Sequence, residues 1–103
     1  MLNFIINKIK NRIIKISVYL DKDNVIIKIQ DNGTGVPKEI LSKIFEPYFT
    51  TKYKSQGTGI GLFMCTEIIT KHFNGQLSVS NEEFEFNDKA YHGACFKISF
   101  SHL

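Results

Sequence analysis

Residues 25–35, VIIKIQDNGTG, decide the fold, because an apolar β-branched run ends there on an acidic residue and two glycines. Residues 25–30 are typical of a buried strand, and the alternating residues 14–20 predict its antiparallel partner across a DKDN turn. A carboxylate at the end of a rigid strand can accept a hydrogen bond from an exocyclic amine, and glycines let a ligand approach the backbone closely. Taken alone, however, the pattern is more typical of a plain Asp-Asn-Gly turn leaving a strand.

A second glycine-rich stretch, GTGIGL at residues 57–62, precedes a segment with helical spacing that runs to His72 and stops at Asn74-Gly75. Unpaired backbone N–H groups and the positive end of the helix dipole would meet at its start, an arrangement that suits phosphate. The stretch lacks the Lys-Ser/Thr ending of a P-loop and the context of a dinucleotide fold. A flexible tight turn is the alternative interpretation.

Between the glycine stretches lies IFEPYFTTK, residues 44–52. Aromatic residues around a proline are usually core, and we expect most of these to be so. Lys52 and Lys54 lie in a short polar segment just before the second glycine stretch, where cations would meet a polyphosphate. A solvated surface position is a fair alternative for Lys54.

The remaining segments complete an α+β pattern. Residues 2–9 are predicted to form a short helix with Asn3 and Asn7 on one face, and two polar residues on a frayed terminus are the alternative. Pro37 is placed as in a first helical turn, so a helix is predicted there. Strands are expected to begin at residue 77 and to cover 94–100, with a hairpin or loop over the acidic stretch 82–88. This order predicts a two-layer sandwich, a mixed, mostly antiparallel sheet with helices on one face.

Composition limits the class of protein. The chain of 103 residues has the size of one domain, and 43% hydrophobic with 22% charged residues fits a globular protein with a core. A net charge of +3 is spread along the sequence and gives no nucleic-acid footprint. No apolar run approaches the ~20 residues of a membrane helix, and the basic residues among the first 14 argue against a signal peptide. Cys65 and Cys95 have no metal-binding spacing, so two reduced thiols in a cytosolic protein are expected.

The three stretches DNGTG, FEPYFTTK and GTGIGL, in this order and spacing, resemble the ATP-binding catalytic domain of two-component sensor histidine kinases. This domain belongs to the ATPase superfamily shared with gyrase and MutL. The resemblance covers residues 12–101 of a single domain spanning 1–103, and the short lid over residues 53–56 is most similar to the nitrogen-regulatory kinases. It implies a Bergerat-type ATP-binding fold.

The resemblance also implies a set of nucleotide-binding residues. Asp31 would hydrogen-bond the adenine amino group directly and through water, and Gly33 and Gly35 would shape its pocket. Lys52 would reach toward the phosphates. The Asn3/Asn7 pair resembles the family's magnesium ligands and would hold Mg²⁺ against the phosphates. The phosphates themselves would be framed by residues of the second glycine stretch: Gly57, Thr58, Gly59, Gly61 and Leu62.

Two departures from the family pattern affect these expectations. Lys8 replaces the usual Ala after the Asn pair, and the rest of that helix is missing, so the chain looks truncated or internally shortened. Part of the sheet would then lack cover, and we expect a homodimer or larger assembly in which a partner's N-terminal residues fill the gap, for which exchange of the N-terminal helix between copies is one route. Gly93 is followed by Ala94 where the family often has Thr, so the bond that supports Asp31 is expected to be lost or supplied by water. The uncovered side chains would be Ile14, Ile16, Val18, Ile27, Ile29 and Phe96, and the filling ones a partner's Leu2, Phe4, Ile5 and Ile6.

The function implied by the resemblance is to position Mg-ATP for phosphoryl transfer to a histidine on a separate dimerisation domain, from which a response regulator receives the phosphoryl group. The domain would be cytoplasmic without membrane contact, although its parent kinase can be membrane-anchored. As a fragment it would bind ATP and ADP but would not phosphorylate itself, so no catalytic residue is assigned. An anti-sigma-type or degenerate nucleotide-binding module of the same superfamily is the alternative.

Overall fold

A computed structural model describes residues 2–9, 12–49 and 60–102, with residues 2–9 described by their backbone. These parts form one five-stranded antiparallel sheet with a single α-helix against it. The strands follow the order β1-β2-β3-β5-β4 across the sheet. Their bounds are Leu2–Ile9 (β1), Arg12–Asp21 (β2), Asn24–Asp31 (β3), Gln76–Phe86 (β4) and Lys89–Ser101 (β5), and the helix α1 is Gly61–His72.

The predicted hairpin is confirmed as β2 and β3, which are joined by a two-residue turn at Lys22 and Asp23. Lys22 takes a φ of 58°, in the left-handed region that tight turns require. β5 pairs with β3 on one side and β4 on the other, so the last strand of the chain lies inside the sheet, next to the edge strand β4. Every pairing among the described strands is antiparallel, and the expectation of a mixed sheet is therefore wrong.

The N-terminal segment is an edge strand, so the predicted helix over Leu2–Ile9 is wrong. β1 pairs with β2 in antiparallel register, with an irregularity between Ile5 and Asn7. The segment is rich in isoleucine and too short to be stable as an isolated helix, whereas the open edge of β2 offers hydrogen bonds to its backbone. Because β1 pairs within its own chain, the predicted exchange of an N-terminal helix between copies loses its basis.

The helical layer is shorter than predicted. α1 occupies the predicted position and ends where Asn74 takes a φ of 52° and the Gly75 N–H donates to the Ile69 carbonyl at 2.9 Å. After Pro37, in contrast, only a single 3₁₀ turn forms, at Lys38–Ile40, followed by irregular turns. Glu46-Pro47 stops any continuation, since the residue before a proline disfavours helical geometry. None of the helices in the described ranges is long and apolar enough to cross a membrane.

The sheet has an apolar face, here called the helix face, and a polar face. On the helix face the register places Ile29 opposite Phe96 and Ile27 opposite both Val18 and Ile98. α1 packs there without burying any of its residues fully. The prediction of incomplete cover is confirmed for the described side chains, because all six are only half-buried: Ile14, Ile16, Val18, Ile27, Ile29 and Phe96.

The acidic stretch 82–88 forms a hairpin, one of the two predicted forms, but strand structure reaches further into it than expected. β4 continues to Phe86, and the turn is confined to Asn87 and Asp88, both with positive φ. β5 likewise begins at Lys89 rather than at residue 94. Phe84 stacks on Tyr91 with centroids 5.7 Å apart, so this extended hairpin has apolar support of its own.

Candidate nucleotide-binding site

Asp31 ends β3, and its carboxylate is held by the backbone. Oδ1 accepts hydrogen bonds from the N–H of Gly33 at 2.9 Å and from the N–H of Ala94 at 3.2 Å. No hydrogen bond reaches Oδ2 within the part of the chain that the structure describes. The side chain is half-buried, so one oxygen is fixed and the other can accept a bond from a ligand.

Gly93 is what lets the Ala94 N–H reach this carboxylate. A Cβ at position 93 would lie 1.9 Å from the Asp31 carbonyl oxygen and 2.7 Å from Oδ1. Only glycine permits so close an approach of β5 to the end of β3. The expectation that the support of Asp31 is lost or supplied by water is therefore wrong, because the main chain of Ala94 provides it without a threonine hydroxyl.

The loop after Asp31 is tied down at both ends. Asn32 Oδ1 accepts from the Ile13 N–H at 3.1 Å, which joins the loop to β2. At the other end, Asn81 of β4 accepts from the Val36 N–H at 2.7 Å and donates to the Val36 carbonyl at 2.8 Å. Asn81 is a residue that the sequence analysis missed, since nothing local links two positions 45 residues apart.

An apolar groove of about 300 Å³ lies on the helix face, between α1 and the sheet. Ile29 lies two positions before Asp31 on the same strand, and alternation puts both on one face. Leu62 on the first turn of α1 and Phe96 on β5 line the same groove. Phe45 packs edge-on against Phe96, with centroids 6.2 Å apart. The second glycine stretch therefore contributes Leu62 to the groove, and the aromatic stretch contacts the lining residue Phe96 through Phe45. The groove is completed by Cys65, Ile69, Leu77 and Ile98.

Of the other predicted nucleotide-binding residues, the structure describes some and not others. Gly33 lies exposed beside the Asp31 carboxylate, and Gly35 takes a φ of 93° that favours glycine. Gly61 is the first residue of α1. Four predicted phosphate-binding residues lie outside the described residues: Lys52, Gly57, Thr58 and Gly59.

The predicted magnesium pair does not share a helix face. Asn3 and Asn7 lie on β1, where their Cα partners are Ser17 and Ile14. Four residues along a strand span about 13 Å, compared with about 6 Å for one helical turn, so the geometry behind the magnesium assignment is absent. Among the described residues there is also no group of three His, Cys, Asp or Glu side chains that could hold a metal ion.

The polar face carries a charged network behind the site. Glu82 accepts from Ser80 Oγ at 3.0 Å and from Gln30 Nε2 at 3.4 Å, and Lys28 Nζ lies 3.8 Å from it. Cys95, only 1% exposed, lies beside this network. Burial raises the pKa of the Cys95 thiol to about 11, with a further contribution from the negative charge of Glu82. This thiol is therefore protonated and unreactive at neutral pH.

Comparison with known proteins identifies the family. Residues 1–102 match the family described as histidine kinase-, DNA gyrase B- and HSP90-like ATPase. The chain belongs to this ATPase family. The match covers nearly the whole sequence, including the short N-terminal segment.

Relatives of this ATPase domain include sensor and sporulation kinases. It is 35% identical to the sensor protein kinase PilS of Pseudomonas aeruginosa, over 80% of the chain and 14% of PilS. It is also 35% identical to sporulation kinase A of Bacillus subtilis, over 92% of the chain and 15% of that kinase. The chain thus spans about one seventh of the length of these relatives, and it corresponds to the ATP-binding catalytic domain of a sensor histidine kinase.

Solved structures agree with this assignment. The nucleotide-free catalytic domain of histidine kinase ThkA superposes with a TM-score of 0.67 at 29% identity, over 89% of this chain and 54% of that one. The predicted two-layer α/β sandwich is therefore confirmed, with the Bergerat-type ATPase domains as its structural relatives.

Proposed function

We propose that this ATPase domain binds ATP and ADP with the adenine 6-amino group donating to Asp31 Oδ2. The observation that carries the proposal is the state of the carboxylate, in which two backbone N–H groups occupy Oδ1. Ile29, two positions earlier on the same face of β3, lines an apolar groove. An adenine ring is flat and apolar, and its 6-amino group is a donor, whereas guanine presents an oxygen at that position. Gly33 and Gly35 border the base.

The phosphates are proposed to lie against the start of α1. Gly61 begins the helix and Leu62 lines the groove, so a nucleotide with its base at Asp31 can extend toward this end. Helix N-termini bind phosphate through free backbone N–H groups and the helix dipole. Lys52, Gly57, Thr58 and Gly59 are proposed as the remaining phosphate contacts on the strength of the sequence motif alone.

Magnesium accompanies ATP in this family, but the described residues do not present a site for it. The Asn3/Asn7 pair lies along a strand, and no other cluster of metal-ligating side chains occurs in the described ranges. We therefore assign no protein ligand to Mg²⁺ and derive no step through it. What the chain itself contributes is the orientation of the nucleotide.

The role in the cell is proposed to be that of the nucleotide-binding part of a cytoplasmic kinase module. It would present the γ-phosphate to a histidine on a dimerisation domain, and a response regulator would receive the phosphoryl group from that histidine. Phosphoryl transfer depends mainly on positioning and charge stabilisation, so a domain that only holds the nucleotide can serve it. Family membership and the sensor kinases among the relatives support this role.

Calorimetric titration tests the proposal. ATP and ADP should bind with measurable heat, and GTP should bind at least about tenfold more weakly, because its 6-oxo group faces a carboxylate oxygen. Equal affinity for ATP and GTP contradicts the assignment of the base to Asp31. No binding of either nucleotide contradicts the proposed function as a whole.

A further inference from the structure

Asn81 makes a two-point contact with the loop that follows Asp31. Its side-chain amide both accepts from the Val36 N–H, at 2.7 Å, and donates to the Val36 carbonyl, at 2.8 Å. This is the pattern by which one backbone residue pairs with another in a sheet. Asn81 is half-buried, and its partner lies 45 positions away in the sequence.

With this contact, both ends of the loop after Asp31 are linked to two neighbouring strands, β4 and β5. Asn81 is paired in the sheet with Ala94, and the Ala94 N–H donates to Asp31 Oδ1. β5 therefore fixes the start of the loop through Asp31, and the adjacent β4 fixes its end through Val36. Gly35 lies directly against the amide, because a Cβ there would be 2.6 Å from Asn81 Oδ1.

We propose that Asn81 is a positioning residue for nucleotide recognition, which holds residues 33–36 against β4 so that the Asp31 carboxylate keeps the geometry that accepts adenine. The inference rests on the proposed function. The position requires a donor and an acceptor at fixed spacing on a short side chain. Asparagine supplies both, whereas aspartate at neutral pH has two acceptors and no donor.

The variants Asn81→Ala and Asn81→Asp test this role, with Asn87→Asp as the control. Asn87 lies exposed in the β4–β5 turn at a φ of 51°, which aspartate also tolerates, so the control makes the same change of charge away from the site. At pH 7.5 both variants at position 81 should bind ADP about tenfold more weakly than the wild type, while the control binds unchanged.

Titration at lower pH separates positioning from loss of structure. A protonated carboxyl group at position 81 can again accept from the Val36 N–H and donate to its carbonyl. The ADP affinity of Asn81→Asp relative to wild type should therefore recover as the pH falls toward about 4, near the ordinary pKa of an aspartate, whereas that of Asn81→Ala should not. The titratable groups near this position are His92, Asp31, Glu82 and Glu83. They are common to all the variants, so taking the ratio to wild type at each pH removes their shared contribution.

The amide resonance of Gly33 gives a second readout, because its N–H donates to Asp31 and does not contact Asn81. It should shift in Asn81→Ala and return toward the wild-type position in Asn81→Asp at low pH. If wild type binds ADP and Asn81→Ala binds it equally well with an unmoved Gly33 amide, the inference is overturned. If wild type binds no nucleotide, the proposed function fails, and the Gly33 amide alone decides whether Asn81 positions the loop.

Discussion

Replacement of Gly93 by alanine should push β5 away from β3 and destabilise the protein at Asp31. The added Cβ would lie 1.9 Å from the Asp31 carbonyl oxygen and 2.7 Å from both its carbonyl carbon and Oδ1. To reach an ordinary contact of 3.4 Å, β5 must move away from β3 by about 1.5 Å at this point. The obstacle is mainly backbone, so rotation of a side chain cannot relieve it.

The expected loss of stability has two parts. Overpacking of this kind costs about 1–3 kcal/mol. Movement of β5 also breaks the 3.2 Å bond from the Ala94 N–H to Asp31 Oδ1, and a hydrogen bond to a charged group contributes about 1.5–3 kcal/mol. The free energy of unfolding should therefore fall by roughly 2.5–6 kcal/mol, a large share of the 5–15 kcal/mol that is typical of a domain.

Urea unfolding followed by circular dichroism measures this loss, with Gly61→Ala as the matched control. A Cβ at Gly61 meets nothing within 4 Å, and alanine favours a helix by up to about 1 kcal/mol, so the control should be as stable as wild type or slightly more so. A Gly93→Ala chain within about 1 kcal/mol of wild type would refute the close approach of β5 to Asp31.

Three further predictions concern the thiols and the helix face. Thiol reagents should modify the exposed Cys65 in the native protein and reach the buried Cys95 only on unfolding, and equal rates would contradict the burial of Cys95. The pKa of Cys95 is raised from 9.0 to about 11 in the folded protein, so the unfolded chain loses this proton first. Between pH 9 and 11 the free energy of unfolding of the wild type should therefore fall by roughly 3 kcal/mol, and that of Cys95→Ala should not show this loss. The half-buried helix face predicts self-association, so light scattering at high concentration should give a mass above 11.8 kDa, and a monomer mass would contradict this.

The parts of the fold that the sequence predicts are those with a strong local period. The β2–β3 hairpin and α1 each combine a clear periodicity with turn or cap residues, and both lie where predicted. The prediction for the N-terminal segment is wrong because its eight residues fit a helix or a strand equally well. Only the exposed edge of β2, a feature of the assembled sheet, decides between them.

The site shows the same division between local and long-range information. Asp31 and its glycines are visible as a motif, whereas the groups that hold them come from residues 45 and 63 positions away. The Ala94 contact is made by a main-chain N–H, which every residue except proline carries, so the residue type gives no signal for it. Gly93 is the one indirect sign, because a glycine within a strand often marks a close backbone approach.

The central claim is that Asp31 Oδ2 accepts from the adenine amino group, and a nucleotide exchange experiment tests it directly. In Asp31→Asn the amide oxygen should take the place of Oδ1, because the N–H groups of Gly33 and Ala94 require an acceptor there. The amide nitrogen then points a donor at the base. ADP should be repelled by this donor, whereas inosine diphosphate, with oxygen in place of the amino group, should accept from it.

Calorimetry of wild type, Asp31→Asn and the exposed control Asp23→Asn with both nucleotides is the decisive measurement. ADP binding should weaken by about 1.5–3 kcal/mol in Asp31→Asn alone, which is roughly 10- to 150-fold, while inosine diphosphate binds as well as before or better. An Asp31→Asn chain that binds ADP with wild-type affinity, or that loses both nucleotides equally, would contradict the account.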